Sequence, residues 1–254
     1  MGVKQLLDLS GRTALVTGGS RGLGLQIAEA LAEMGAQVAI TARKKDELEA
    51  ALSHLKEGKA FVSDIGKREG IPTLVDDVVK QCGRVDILVN NAGATWGAPA
   101  EDHPLDAWDK LVSVNLTGVF VLSQLVAKRC MIPAKWGRIV NVASIAGLLG
   151  QDPRFAPTAA YTATKHGVVG LTRQLAAEWG KYGITVNAIC PGFFPSRMTR
   201  ATLATAGELV KEWTPNRRLG NDEDLKGLAV LLASEAARHI NGQAIAVDGG
   251  ASVI

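Results

Sequence analysis

Tyr161 and Lys165 lie four residues apart in AAYTATKHG, a spacing that on an α-helix puts both side chains on one face. A phenol, with an ordinary pKa of about 10, is a poor acid or base at neutral pH, but an adjacent ammonium favours the phenolate and lowers that pKa. A tyrosine so placed can exchange a proton with an alcohol or a ketone. The same spacing also serves simply to cover a helix surface, so the pair takes its meaning from the elements around it.

Those elements alternate. Short apolar, β-branched runs recur at 13–18 (TALVTG), 37–42 (QVAITA), 60–64 (AFVSD), 86–93 (DILVNNAG), 138–144 (RIVNVAS), 185–192 (TVNAICPG) and 243–250 (QAIAVDGG), with amphipathic segments between them. Nearly continuous apolar runs, as opposed to alternating ones, suit strands of a parallel sheet covered by helices on both faces. After the first run, Leu23, Ile27, Ala30, Leu31 and Met34 repeat at helical spacing, and Gly35 supplies a stop. Gly167 and Gly170, beyond Tyr161, would let another element approach the same helix. No tandem repeat or Gly/Ser/Pro linker divides the chain. The pattern predicts one α/β domain over residues 1–254, doubly wound, with a largely parallel seven-stranded sheet flanked by helices.

The first strand runs directly into TGGSRGLG, Thr17 to Gly24. Glycines at 18, 22 and 24 permit a tight turn and close backbone approach, leaving the amides and positive dipole end of the next helix facing a pyrophosphate. About twenty residues on, an NAD site would carry an acid at the end of the second strand. This chain has Thr41, Ala42 and Arg43 there. Arg43, and Arg21 within the glycine loop, are suited to charge-assisted contacts with a 2′-phosphate, so NADP(H) is expected in preference to NAD(H). The alternative is that Arg43 and Lys44 merely solvate a helix start, but the missing acid favours the 2′-phosphate.

Composition narrows the class. The chain has 254 residues, 47% hydrophobic and 21% charged, with a formal net charge of +3 and no block of five like charges. Nothing marks a nucleic-acid or membrane surface. The opening MGVKQLLDLSGR lacks the apolar run of a signal peptide, and no stretch of about eighteen uninterrupted apolar residues occurs. Cys82, Cys130 and Cys190 are far apart and without CxxC spacing, which indicates neither a disulfide framework nor a zinc site. A cytoplasmic, reducing location is expected.

With the glycine loop, the NNAG at 90–93, Asn115, Ser144, Tyr161-x3-Lys165 and the PG at 191–192, the chain resembles a short-chain dehydrogenase/reductase of the classical subgroup, from about Leu9 to Val253. The resemblance implies a Rossmann-type oxidoreductase acting on a CH–OH group, with a dinucleotide-binding part at about 9–145 and a catalytic and substrate-binding part at about 146–254. Tyr161 would be the general acid/base, and Lys165 would lower its pKa and bind the nicotinamide ribose. Ser144 would hydrogen-bond the substrate oxygen, while Asn115 would hold a water in a proton relay through Lys165. Asn91, Ala92 and Gly93 would lie beside the adenosine ribose and Asp64 against the adenine amino group, although an N-cap role would also account for Asp64. With Arg43, the implied cofactor set is Gly18, Ser20, Arg21, Gly22, Leu23, Gly24, Asp64, Ile65, Asn91, Ala92, Gly93, Tyr161, Lys165, Pro191, Gly192 and Phe194. The implied substrate set is Ser144, Gln151, Phe155, Tyr161 and Phe193. A homotetramer or homodimer follows from the same likeness, with the Asn115 and Tyr161 helices at one interface and the C-terminal strand near another.

Two features bear on the substrate. Ser144 and Tyr161 are seventeen positions apart, several more than is usual in the family, and the surplus GLLGQDPRFAPTAA suits either a pocket wall or a surface insertion. After Pro191-Gly192, residues 193–219 resemble the family's lid, where Phe193, Phe194 and Met198 would exclude water and Arg197 or Arg200 would attract an anion. The start of the chain, LLDLSGRTALVTGGSRGLGLQIAEALAEMGA, resembles gluconate 5-dehydrogenase-type members, and PGFFPSRMT is similar to 3-oxoacyl-(acyl carrier protein) reductases. A ketone, a keto sugar acid or a 3-oxoacyl thioester is therefore the expected substrate. The other class open to the chain is a non-catalytic NADP(H)-binding regulatory protein of the same fold.

Overall fold

Seven strands, β1 (Thr13–Thr17), β2 (Gln37–Ala42), β3 (Lys59–Val62), β4 (Ile87–Asn90), β5 (Gly137–Val142), β6 (Ile184–Pro191) and β7 (Ala244–Val247), form one sheet in the order β3-β2-β1-β4-β5-β6-β7. Every pairing is parallel, from Thr13 opposite Gln37 at one side to Cys190 opposite Ala246 at the other. The computed structural model describes residues 1–152 and 157–254. All seven expected strands are present, β2 with the expected bounds and the others with ends shifted by one to three residues: the third ends at Val62, so Asp64 lies in the loop beyond it. Central strands β1, β4, β5 and β6 are buried along their whole length, as a sheet covered on both faces requires. The edge strands β3 and β7 are only partly covered.

Helices α1 (Val3–Leu7), α2 (Gly22–Glu33), α3 (Lys45–Leu52), α4 (Ile71–Cys82), α5 (Leu105–Ala134), α6 (Ala159–Trp179), α7 (Arg200–Trp213) and α8 (Lys226–Ala233) fill the connections. One face of the sheet packs on α2, α3 and α8 through Ile27, Leu31, Leu48 and Leu232; the other packs on α4, α5 and α6 through Val75, Leu122, Val126 and Leu175. Fully burying one such side chain contributes about 1.5–3 kcal/mol. As the spacing predicts, α2 buries Ile27, Ala30 and Leu31, and Gly35 turns the chain out of it at φ 95°.

The long helix α5 is interrupted by π-helical turns at Ser113–Thr117 and Ala127–Met131. The first turn carries Asn115. It also brings Leu116 against α6 at Gly167, where a Cβ would sit 3.0 Å from the leucine. Gly170 meets nothing within 4 Å, so only one of the two expected close approaches occurs. No run of eighteen uninterrupted apolar residues occurs in α5, yet by length and composition alone the helix is long and apolar enough to cross a membrane: it has 30 residues, with an 18-residue window of mean hydropathy 1.5. Its apolarity has a use within the fold, because 44% of that window is buried, with Leu122, Val126 and Met131 wholly inside.

Candidate active site

At the carboxyl ends of the strands the sheet opens into a cleft of about 980 Å³, the usual ligand position in open α/β folds. Its floor is the glycine loop. Gly18 has φ 63° and Gly22 φ 52°, conformations that disfavour a side chain. A Cβ on Gly24 would come within 2.3 Å of the Gly18 carbonyl oxygen, so the first turn of α2 presses directly on the loop. Thr17, the last residue of β1, ties this loop to the NNAG turn: its hydroxyl accepts from the amides of Asn91 and Ala92, and Asn91 Nδ2 donates to the Thr17 and Gly18 carbonyls. Asn90 and Asn141 extend the scaffold behind them, with Asn90 Nδ2 donating to Asn141 Oδ1 at 2.9 Å and Asn141 Nδ2 to the Thr172 hydroxyl at 2.9 Å. This chain of bonds satisfies the buried amide donors, while Asn90 Oδ1 has no hydrogen-bond partner among the described residues.

Ser144 follows β5 and caps a short 3₁₀ turn, its Oγ accepting from the Ala146 amide at 3.1 Å. Ser144 and Tyr161 line the same cleft. Helix α6 places Lys165 one turn on, only 5% exposed, with Nζ 5.6 Å from the Tyr161 ring centroid and donating to the Val142 carbonyl at 2.8 Å. Asn115 is 1% exposed; its Oδ1 accepts from the Ala94 amide at 2.8 Å, and its Nδ2 donates to the Ala94 carbonyl at 2.9 Å and the Thr164 hydroxyl at 3.1 Å. Gly93 lies between them. A Cβ there would be 3.4 Å from Asn115 Oδ1 and 3.8 Å from Lys165 Nζ.

Burial governs the protonation of this group. It raises the Tyr161 pKa, with the Ser144 hydrogen bond opposing and nearby Cys190 adding to the rise. It lowers Lys165 from 10.5 to about 8 and pushes the Cys190 thiol up to about 11. The expectation that Lys165 depresses the Tyr161 phenol is thus not what the environment produces. Desolvation disfavours the phenolate, and the hydrogen bond that opposes it comes from Ser144.

Gly18, Ser20, Arg21, Gly22, Leu23, Gly24, Arg43, Asp64, Ile65, Asn91, Ala92, Gly93, Ser144, Tyr161, Lys165, Pro191, Gly192 and Phe194 all line this one cleft. Asn115 stands behind it, reaching the wall through Ala94. Asp64 does turn its own loop, its Oδ1 accepting from the Gly66 amide at 3.0 Å. Phe193 is a departure from expectation: it lines a second cavity of about 590 Å³ with Pro215, Asp248 and the chain terminus. Phe194 borders both cavities and packs into the core, where a Cβ on Gly220 would be 2.4 Å from its ring. Gln151 is held by the Thr158 hydroxyl at 3.3 Å and does not border the main cleft. Phe155 and Arg154 lie outside the described residues.

The sequence reading missed several residues of the site. Thr17 was legible as a hydroxyl closing the strand before the glycine loop. Glu47, by contrast, carries no motif and looks like an ordinary acid in the first turn of α3. Its carboxylate lies 2.7 Å from Arg21, 3.2 Å from Lys44 and 3.8 Å from Arg197. Desolvation raises its pKa, but the Lys44 hydrogen bond and the Arg21 and Lys44 charges outweigh that and leave it below the usual range. Thr41 also lines the cleft, its buried hydroxyl without a hydrogen-bond partner among the described residues. A glycine-floored cleft with helix amides, basic residues at one end and an unpaired hydroxyl fits a dinucleotide.

The sequence profile of the family described as short chain dehydrogenase matches residues 12–207, and the chain belongs to that family of oxidoreductases. Among curated relatives it is 40% identical over 256 residues to gluconate 5-dehydrogenase of Gluconobacter oxydans, covering 98% of this chain and 97% of the relative. It is also 40% identical over 244 residues to a 3-oxoacyl-[acyl-carrier-protein] reductase of Staphylococcus epidermidis, covering 94% and 98%. A solved gluconate 5-dehydrogenase from Burkholderia cenocepacia, in complex with NADP and tartrate, superposes with a TM-score of 0.93 at 35% identity over the whole of both chains.

Proposed function

We propose that this chain interconverts a carbonyl and a secondary alcohol with NADP(H), that Tyr161 is its general acid/base, and that its substrate is a polyhydroxy acid of the keto sugar acid class. One observation carries the reading: Tyr161, Ser144 and Lys165 line the same glycine-floored dinucleotide cleft, with the Lys165 ammonium one helical turn on and 5.6 Å from the Tyr161 ring centroid. Bound NADP(H) supplies or accepts the hydride. In reduction Ser144 holds the carbonyl oxygen, and the Tyr161 O–H gives that oxygen its proton, so the alcohol forms and the phenolate remains. Lys165, still cationic below a pH of about 8, balances that phenolate while it is reprotonated. Asn115 keeps the 94 loop and Gly93 in place beside Lys165. A water held in this region would complete the relay.

Arg21 and Arg43 at the adenosine end, with no acid closing β2, support NADP(H), as does the NADP complex of the Burkholderia relative. Arg200 on the cleft rim supports an anionic substrate, as do the gluconate dehydrogenases among the relatives. The Staphylococcus relative keeps a 3-oxoacyl thioester as the second reading. We also assign the Asn115 and Tyr161 helices to an interface of a homo-oligomer, residues 193–219 to a lid, and the protein to the cytoplasm. The deciding experiment follows NADPH absorbance with keto sugar acids, 3-oxoacyl thioesters and simple ketones. Turnover of keto sugar acids with the highest kcat/KM is the expected result. Faster thioester turnover selects the second reading, and tight NADPH binding without turnover of anything returns the regulatory one.

A further inference from the structure

The Glu47 carboxylate gathers its three cations from three separate elements. Arg21 is the residue before α2, Lys44 precedes α3, and Arg197 belongs to the segment after β6. All four residues line the cleft, and next to Lys44 stands exposed Arg43. Three cations at one end of the cleft thus share a single carboxylate, with Arg43 beside them. The Arg197 side chain is 62% exposed, and ion pairs between exposed groups contribute little to stability. Such a pair gives way readily to a better anion. A phosphate monoester is one: it carries nearly twice the charge and three acceptor oxygens, which guanidinium forks engage two at a time.

We propose that Arg197 is a specificity-determining residue for the 2′-phosphate of the cofactor. The phosphate replaces Glu47 as the anion shared by Arg21 and Arg197, and in doing so draws the 193–213 segment over the cleft. A dinucleotide without that phosphate leaves both arginines on Glu47 and lacks this pull. Glu47 thereby holds the guanidiniums in place while opposing the phosphate, which sets how strongly the two cofactors are distinguished. The inference rests on the NADP(H) reading above and adds a lid residue to it.

Calorimetry of the full chain with 2′,5′-ADP and with ADP tests the idea directly, without turnover. Wild type should bind 2′,5′-ADP the more tightly. Removing one charge-assisted phosphate contact in R197Q should weaken 2′,5′-ADP by roughly tenfold and leave ADP unchanged; unchanged ADP binding also shows that the variant is folded. In E47Q, 2′,5′-ADP should bind more tightly, and weaker binding would overturn the exchange of anions. Amide exchange across 193–213 should slow on adding 2′,5′-ADP to wild type but not to R197Q. If wild type prefers 2′,5′-ADP and R197Q matches it, or loses both nucleotides alike, the role of Arg197 is wrong and the NADP(H) reading stands. If wild type binds ADP as tightly as 2′,5′-ADP, both are wrong.

Discussion

Lys165 holds an ammonium in a nearly dry place, and its pKa of about 8 makes the charge depend on pH. Because the folded value lies below the unfolded 10.5, the unfolded chain binds more protons between about pH 8 and 10.5. The cost of burying the charge is therefore present in full below pH 8 and is relieved as pH rises through that window. The unfolding midpoint of Lys165→Met should lack the wild-type upward contribution between pH 8 and 10.5. Reduction by wild type should fall as pH rises through about 8, where Lys165 loses its charge, and a flat profile there would argue against the relay. Tyr161→Phe removes the proton donor but little volume, and kcat should drop by roughly 10²–10⁴-fold with NADPH affinity preserved. Full activity in that variant would exclude Tyr161 as acid/base. The pair itself is legible at i,i+4. The dominance of desolvation over the Lys165 charge is not, because burial depends on the strands and loops that close around α6.

At the scale of elements, the π turn in α5 widens the helix at Asn115, and the amide meets both backbone groups of Ala94. In Asn115→Ala both Ala94 groups lose this partner, while the Thr164 hydroxyl keeps its bond to the Tyr161 carbonyl; at about 1–3 kcal/mol per group left unsatisfied, the loss in a chain of this size lowers the melting temperature by several degrees. An unchanged thermal midpoint would show that the 94 loop is held by something else. Strand positions were readable from continuous apolar runs, and the stop of α2 from Gly35. The π turn was not, since Ser113–Thr117 has the composition of ordinary helix and its extra residue is set by packing on α6 at Gly167. The long Ser144–Tyr161 connection likewise marked itself by length alone. Its Gln151 turns to Thr158, a local partner that only the folded loop provides.

Over the whole molecule, the outer face of α5 presents Trp108 and Phe120, at 38% and 39% exposure, and the terminus presents Val253 and Ile254. Large apolar groups left exposed on a partly buried helix suit a partner copy. Phe120→Glu should shift the sedimentation coefficient toward a smaller species at unchanged helix content. A wild type that sediments as a monomer would remove the interface. The edge strand β7 is only half covered, which fits a second contact there.

The glycine loop, the missing acid after β2, and the order of Asn115, Ser144, Tyr161 and Lys165 were determined by sequence alone, because each depends on residue type and local spacing. Tertiary structure decided what no local pattern encodes. It joined Arg21, Lys44 and Arg197 around Glu47 from three distant segments, turned Phe193 away from the cleft that Phe194 lines, and buried Lys165 until its charge became pH-dependent. Proximity across the chain and removal from water are properties of the packed sheet and its helices, so the electrostatics of the Tyr161/Lys165 pair exist only once the fold has formed.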